Sequence, residues 1–312
     1  MSKTGDQCPP SISSPLLNIL VANMGEEASV SVLRGLAQKK VSLKIDLNNL
    51  KLLTNHISGL EVTRDIARLA SLGLPQAGSW LNVVPSPVLG LHLRPPEFIV
   101  SVKYRLGMDI FSTNGKCTAC PLPSDSRGDH AISCGYEGER ISRHNHLRDA
   151  LYKTAVQACL GPTREDIALI PGSDARPADL LIPNWSMGKD AAMDITVVNP
   201  LQAALVAGAA ATPGHALTKR FGEKMTKHGE GCRLAGLVFI PLPFETLGGW
   251  HEETVTQVKR LGSALARHTG QEESEAIRHV AQRLAVLLAK GNAALLLNRV
   301  PAFPSPDTDG QH

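Results

Sequence analysis

Between residues 138 and 245 the spacing of apolar positions changes twice. From Gly138 onward, Leu147, Ala150, Leu151, Thr154, Ala155 and Ala158 recur on one helical face, which predicts a long amphipathic helix. Short apolar runs follow around Ile167 to Pro171, over 178–182 and over 191–198, the lengths and flanking turn residues of strands. A helix is expected from about Thr212 and a further strand from Leu234 to Pro241. The order is α-β-β-β-α-β, an α/β class with helical flanks.

The flanks read differently. Residues 1–15 are polar and rich in Pro and Ser, the composition of a disordered N-terminus, and helical patterning then covers 16–94 with interruptions. Within it Thr63 is the expected N-cap of a helix carrying Ile66, Leu69 and Leu72, stopped by Gly73-Leu74-Pro75. The residues 95–137 hold a helix opened by Pro95-Pro96-Glu97 and running to Leu106, then a cysteine cluster. After the 138–245 core, helices are expected at Trp250 to His268 and Glu272 to Leu297 within 246–300, and 301–312 is a proline-rich tail expected to be disordered.

Composition changes this picture little. At 312 residues, with 43% hydrophobic and 20% charged positions, the chain is in the globular range. A net charge of +3 does not itself argue for a nucleic-acid partner, so local clusters must carry that case. No apolar run reaches membrane-spanning length and Met1 to Pro10 lacks a signal peptide's pattern, so an intracellular chain, nuclear or cytoplasmic, with no membrane partner is expected. The pattern does not define an oligomeric state.

Candidate chemistry concentrates in three places. Cys117, Cys120, His130 and Cys134 have the spacing C-x2-C-x9-H-x3-C, three thiolates and an imidazole, which is the ligand set of a closed tetrahedral zinc site. In the following helix Arg140, His144 and Arg148 form one row, and with Arg143 and Lys153 the basic residues outnumber Glu139 and Asp149. That face suits a phosphate backbone, and equally a solvated surface. Glu139 and His144 each admit a structural or a functional reading. The third place is "ARPADLLIPNWSMGKDAAMDITVVNP", where Asp179 and Asp194 interrupt two apolar runs.

If those runs are neighbouring strands, alternation places Asp194 with Thr196 on one face and Met193, Ile195 and Val197 on the other, and Asp179 can oppose Asp194. Two nearby carboxylates out of water disfavour one another's ionisation, and a divalent cation such as Mg²⁺ removes that conflict. The helix after Thr212 offers Arg220, Lys224 and Lys227 along one side, with Glu223 a local partner. Glu245 is either an accessory acid or a cap of the next helix. Taken alone, the two aspartates also fit solvent-facing strand ends.

Together these residues resemble the restriction-like endonuclease region found downstream of the reverse transcriptase in site-specific non-LTR retrotransposon proteins. The resemblance spans about 95–245: the CCHC knuckle, Arg143-His144-Asn145, Arg176-Pro177-Ala178-Asp179, Asp194-Ile195-Thr196, and Lys224-Met225-Thr226-Lys227. It implies a PD-(D/E)XK nuclease core, structural zinc, and catalytic Mg²⁺ or Mn²⁺ held by Asp179 and Asp194. Lys224 or Lys227 then replaces a lysine that other members carry on the strand, at Thr196 here. An alanine also separates Pro177 from Asp179.

The resemblance further implies DNA as substrate, contacted by Arg140, Arg143, His144, Arg148 and Arg220, with element RNA as a second candidate partner. It makes 16–94 the tail of a reverse-transcriptase thumb or connector-like segment. No polymerase-type acidic pair occurs, so no DNA synthesis is expected of this chain. The alternative is a zinc-stabilised nucleic-acid-binding remnant that has lost catalysis. A third possibility is a helical interaction protein docking through 250–297.

Overall fold

A computed structural model describes residues 62–136, 138–164, 169–170 and 177–299. The chain divides into two compact units, Met1–Val62 and Thr63–His312, and all that follows concerns the second. The expectations for 1–61, for Arg176 and for 301–312 lie outside the described residues.

The first helix, α1, spans Val62–Leu72, so Thr63 lies in its first turn instead of capping it. A short 3-10 turn at Ser79–Asn82 buries Trp80. Helix α2, Pro95–Leu106, has the expected limits. Glu97 accepts a 2.7 Å hydrogen bond from the Arg94 backbone N–H, closing the first turn. Gly107, at φ 72°, ends the helix in the left-handed conformation glycine tolerates.

The knuckle contains a two-residue ladder, β1 (Gly115–Lys116) against β2 (Pro123–Ser124), and a short helix α3, Asp129–Ser133. Helix α4, Glu139–Gln157, follows, burying Leu147, Ala150, Leu151, Thr154 and Ala155 as the periodicity predicts.

The main sheet has the order β3 (Thr163–Arg164), β4 (Leu180–Ser186), β5 (Lys189–Val198), β6 (Val238–Glu245). Its first two pairs are antiparallel and the last is parallel. β3 forms four residues before the strand expected at 167–171, which lies mostly outside the described residues. Met187 (φ 50°) and Gly188 (φ 77°) join β4 to β5 in a two-residue turn with both residues left-handed, the geometry that suits the strands' twist.

The helical segment between β5 and β6 is more broken than expected. Helix α5 (Val206–Ala211) ends before Thr212-Pro213-Gly214, and α6 runs His215–Lys224. A π-helical stretch Met225–Gly229 then leads into α7, Glu230–Leu234. Strand β6 starts at Val238, later than predicted, because Leu234 is still helical and Gly236 turns the chain at φ 79°. It continues through Pro241 and Pro243, which a sheet's edge strand accommodates because one side needs no N–H.

Alternation along β5 makes three layers. Ala191, Met193 and Ile195 join a core with Leu147 and Leu151 of α4. The same core takes in Val258 and Leu261 of α8 (Glu252–Thr269) and Leu284 and Leu288 of α9 (Glu273–Leu297). On the other face Ala192 meets Cys232 and Phe239, and Val198 meets Ala216 and Leu217 of α6. Each fully buried Leu or Ile stabilises the fold by roughly 1.5–3 kcal/mol.

The C-terminal helices therefore complete the core. By length and hydropathy α9 could cross a membrane although its apolar positions form no unbroken run, but 67% of its most apolar 18-residue stretch is buried inside the protein. The chain thus forms a mixed α/β architecture with a sheet between helices.

Candidate functional site

The four predicted zinc ligands converge. One ligand atom from each of Cys117, Cys120, His130 and Cys134 lies within 4.8 Å of all the others, a cluster that can hold a metal such as zinc. Cys117 and Cys134 sulfurs are 4.0 Å apart and Cys120 Sγ is 3.3 Å from His130 Nε2. Burial raises the Cys117 pKa, but N–H donors from Ala119 and Cys120 and the His130 side chain outweigh it and bring the thiol down to about 6. That favours the thiolate a metal requires.

The polar loop of the knuckle explains itself locally. The Asp125 carboxylate accepts from the backbone N–H groups of Asp129 (3.0 Å) and His130 (2.8 Å), capping α3 and fixing one ligand. Gly128 adopts φ 85°, and a Cβ there would stand 2.5 Å from Leu296. From outside, Arg64 of α1 grips Asp129 through two guanidinium nitrogens.

The two aspartates lie close together. Asp179 immediately precedes β4, and its N–H donates to Met193 O at 2.9 Å, one residue out of the Leu180–Met193 register, which brings its carboxylate within electrostatic reach of Asp194 on β5. Asp179 Oδ2 accepts from the Ile195 N–H at 2.6 Å, and Oδ1 lies 3.0 Å from His144 Nε2. Asp194 is 7% exposed, which excludes the solvent-facing strand-end reading for it. Lys224 Nζ stands 3.0 Å from its Oδ1. The same nitrogen is 2.9 Å from Oδ2, yet Oδ2 makes no hydrogen bond of acceptable angle and is buried. Burial pushes Asp194 up to about 6; Asp179 adds to the shift while Lys224 and His144 oppose it.

Two carboxylate side chains near one another are hard oxygen donors of the kind a divalent cation takes, and the Asp179 charge adds to the cost of ionising the buried Asp194, whose charge Lys224 meets at 2.9 Å. A cleft of about 330 Å³ adjoins them, lined by Arg140, His144 and Thr196 among others, joining the knuckle's edge to α4 and β5.

The remaining predicted residues separate. Arg140 is exposed and hydrogen-bonds Ser133 O at 3.1 Å. Arg143 is only 3% exposed and bonds Asn292 Oδ1 at 2.7 Å, so the expectation of an exposed phosphate contact fails for it. Its side chain packs where a Cβ on Gly291 would stand, and burial lowers its pKa to about 10. Arg148 is ion-paired with Asp149 at 3.0 Å and Arg220 with Glu223 at 2.8 Å. Lys227 is exposed in the π-helical stretch, so only Lys224 of the two reaches an aspartate in the described ion pairs.

Glu245 does not cap the following helix. It is fully buried, and α8 is capped by His251 instead. Neither carboxylate oxygen has a hydrogen bond of normal geometry, although nearby Ser71 mildly opposes the shift. Burial pushes its pKa from 4.5 to about 7. A folded-state value above the unfolded one means the contribution to stability is complete below pH 4.5 and lost as pH rises through about 7, about 3 kcal/mol in all. Urea denaturation across that window should show this decline in wild type, and Glu245→Gln should remove most of it. An unchanged slope in the variant would contradict the assignment.

Compared with protein-family models and with curated proteins, the sequence matches none.

Proposed function

We propose that this chain is a divalent-metal-dependent DNA endonuclease of restriction-like type, derived from a non-LTR retrotransposon protein and nicking DNA to leave a 3′ hydroxyl for reverse transcription. The observation that carries this reading is the proximity of Asp179 to the buried Asp194 at the β4–β5 pairing, with Lys224 ion-paired to Asp194 at 2.9 Å. The α-β-β-β-α-β order and the Cys3His cluster ahead of it support it.

Asp179 and Asp194 would hold Mg²⁺ or Mn²⁺, which supplies Lewis-acid stabilisation of the phosphate's developing charge and favours hydroxide over water. Lys224 places a positive charge against the same pocket, where it can orient the attacking water or stabilise the phosphate. His144 fixes the orientation of Asp179 and lies within proton-transfer distance of it. Arg140 lines the cleft where a DNA backbone would lie. In the hydrolysis, water oxygen bonds to phosphorus as the bond to O3′ breaks, and a proton passes to the departing 3′ oxygen.

The test is nicking of supercoiled plasmid by purified protein with Mg²⁺ or Mn²⁺. Relaxed product that disappears with chelator is expected, and failure to nick with either ion would reject the reading. The Lys224–Asp194 ion pair favours one alternative, because it partly neutralises the acid without a cation. That alternative is a nucleic-acid-binding remnant, showing salt-dependent binding without cleavage.

A further inference from the structure

The face of α8 turned away from the core carries Lys259, Arg260, Ser263 and Arg267 at helical spacing. With Asn184 and Trp185 of β4 this face lines a cleft of about 530 Å³. Three cations meet there against one carboxylate, Glu273 of α9. Arg260 is fixed: its guanidinium lies 4.6 Å from the centre of the Trp185 ring and donates to Trp185 O at 2.6 Å. Lys259 and Arg267 are exposed, and among the described residues neither has a carboxylate within ion-pair distance. The exposed arginines Arg164, Arg220, Arg233 and Arg278 are each paired with one. An unneutralised basic face on a helix anchored in the core attracts a polyanion.

The cleft is separate from the candidate metal site. It sits at the hairpin end of the β4–β5 pair, where Ser186 meets Lys189, and Asp194 is five residues further along β5, about 16 Å away. Met193 and Ile195 share the core beneath α8, so Asp194 between them points to the other face of the sheet. Spacing selects the polyanion. Lys259 and Arg267 are eight residues apart, about 12 Å along a rigid helix, which is about the width of the major groove of B-form DNA. The narrow major groove of A-form RNA does not match it.

We propose that this cleft binds the phosphate backbone of duplex DNA, Lys259 and Arg267 meeting phosphates on the two edges of the major groove with Arg260 between them, as a holding contact apart from the site of cutting. The inference deepens the nuclease reading and rests on it for the choice of DNA.

The experiment follows fluorescence anisotropy of a short labelled DNA duplex over a salt series, with no Mg²⁺ or Mn²⁺ added, for wild type, Lys259→Gln/Arg267→Gln and the control Arg233→Gln. Plasmid nicking at saturating protein is measured beside it. Each lost phosphate contact lowers the slope of log affinity against log salt by about one. The double variant should therefore lose about two from that slope and roughly 10–100-fold in affinity near about 0.1 M salt. Its nicking at saturation should stay within about threefold of wild type, because these cations act in binding alone.

Unchanged affinity and slope in the double variant, or an equal loss in Arg233→Gln, would overturn the proposal. So would absence of binding by wild type, or tighter binding of an RNA duplex of the same sequence. A wild type that binds as expected but never nicks leaves the cleft standing and removes the nuclease reading; a wild type that nicks while the double variant binds normally does the reverse.

Discussion

If the Cys3His cluster holds zinc, stripping it with a strong chelator is expected to release residues 115–124 and lower stability by on the order of 5 kcal/mol. The knuckle has almost no apolar core of its own: Cys117, Ala119 and Cys134 form its buried cluster, with Cys120 packed against them. Without metal the Cys117–Cys120 half has little else to hold it, whereas α3 keeps Ala131 and Ile132 in the core beside Leu295 and Leu296.

The effect should reach the aspartates. Asn199, the residue after β5, donates to Asp129 O (3.3 Å) and Ser133 Oγ (2.9 Å) of α3 while its Oδ1 accepts from Thr246 Oγ1 (3.2 Å) and Leu201 N (3.0 Å). Loosening α3 therefore loosens the end of the strand that carries Asp194. Thermal unfolding and trypsin cleavage near Arg127, with and without chelator, measure this. A metal-free protein with the same melting temperature and resistance would contradict it.

Lys224→Ala is expected to lower nicking by about 100- to 1,000-fold, the range seen when one donor to a developing anionic charge is removed. Lys227→Ala should change it by no more than about threefold, because an exposed charge in high dielectric contributes little. The contrast follows from position: Lys224 ends α6 at 2.9 Å from Asp194, whereas Lys227 lies in the π-helical stretch beyond it. Initial rates at saturating Mg²⁺ measure both. Equal losses would mean that the lysine assignment is mistaken.

Much of this arrangement was legible in local pattern. Pro95-Pro96-Glu97 marked the start of α2, helical period placed α4 and an apolar run placed β5, because each pattern reflects a local preference or a face buried against the core. The ligand spacing of the knuckle needed no tertiary information. Other features had no local signature. The strand expected to end at Pro241 runs on through Pro243 to Glu245, because the edge position tolerates prolines. A basic row does not reveal that Arg143 turns inward to Asn292, 149 positions away. Nor does the run around Glu245 announce a buried, unpaired carboxyl. The partners that decide these fates come from α1, α8 and α9, far along the chain.

The most direct measurement compares plasmid nicking by zinc-loaded wild type, Asp179→Ala and Asp194→Ala across a Mg²⁺ titration. If the two carboxylates share the catalytic cation, wild type nicks in proportion to Mg²⁺ occupancy and each variant loses activity by about three orders of magnitude. Nicking that survives in both variants would contradict the shared metal site.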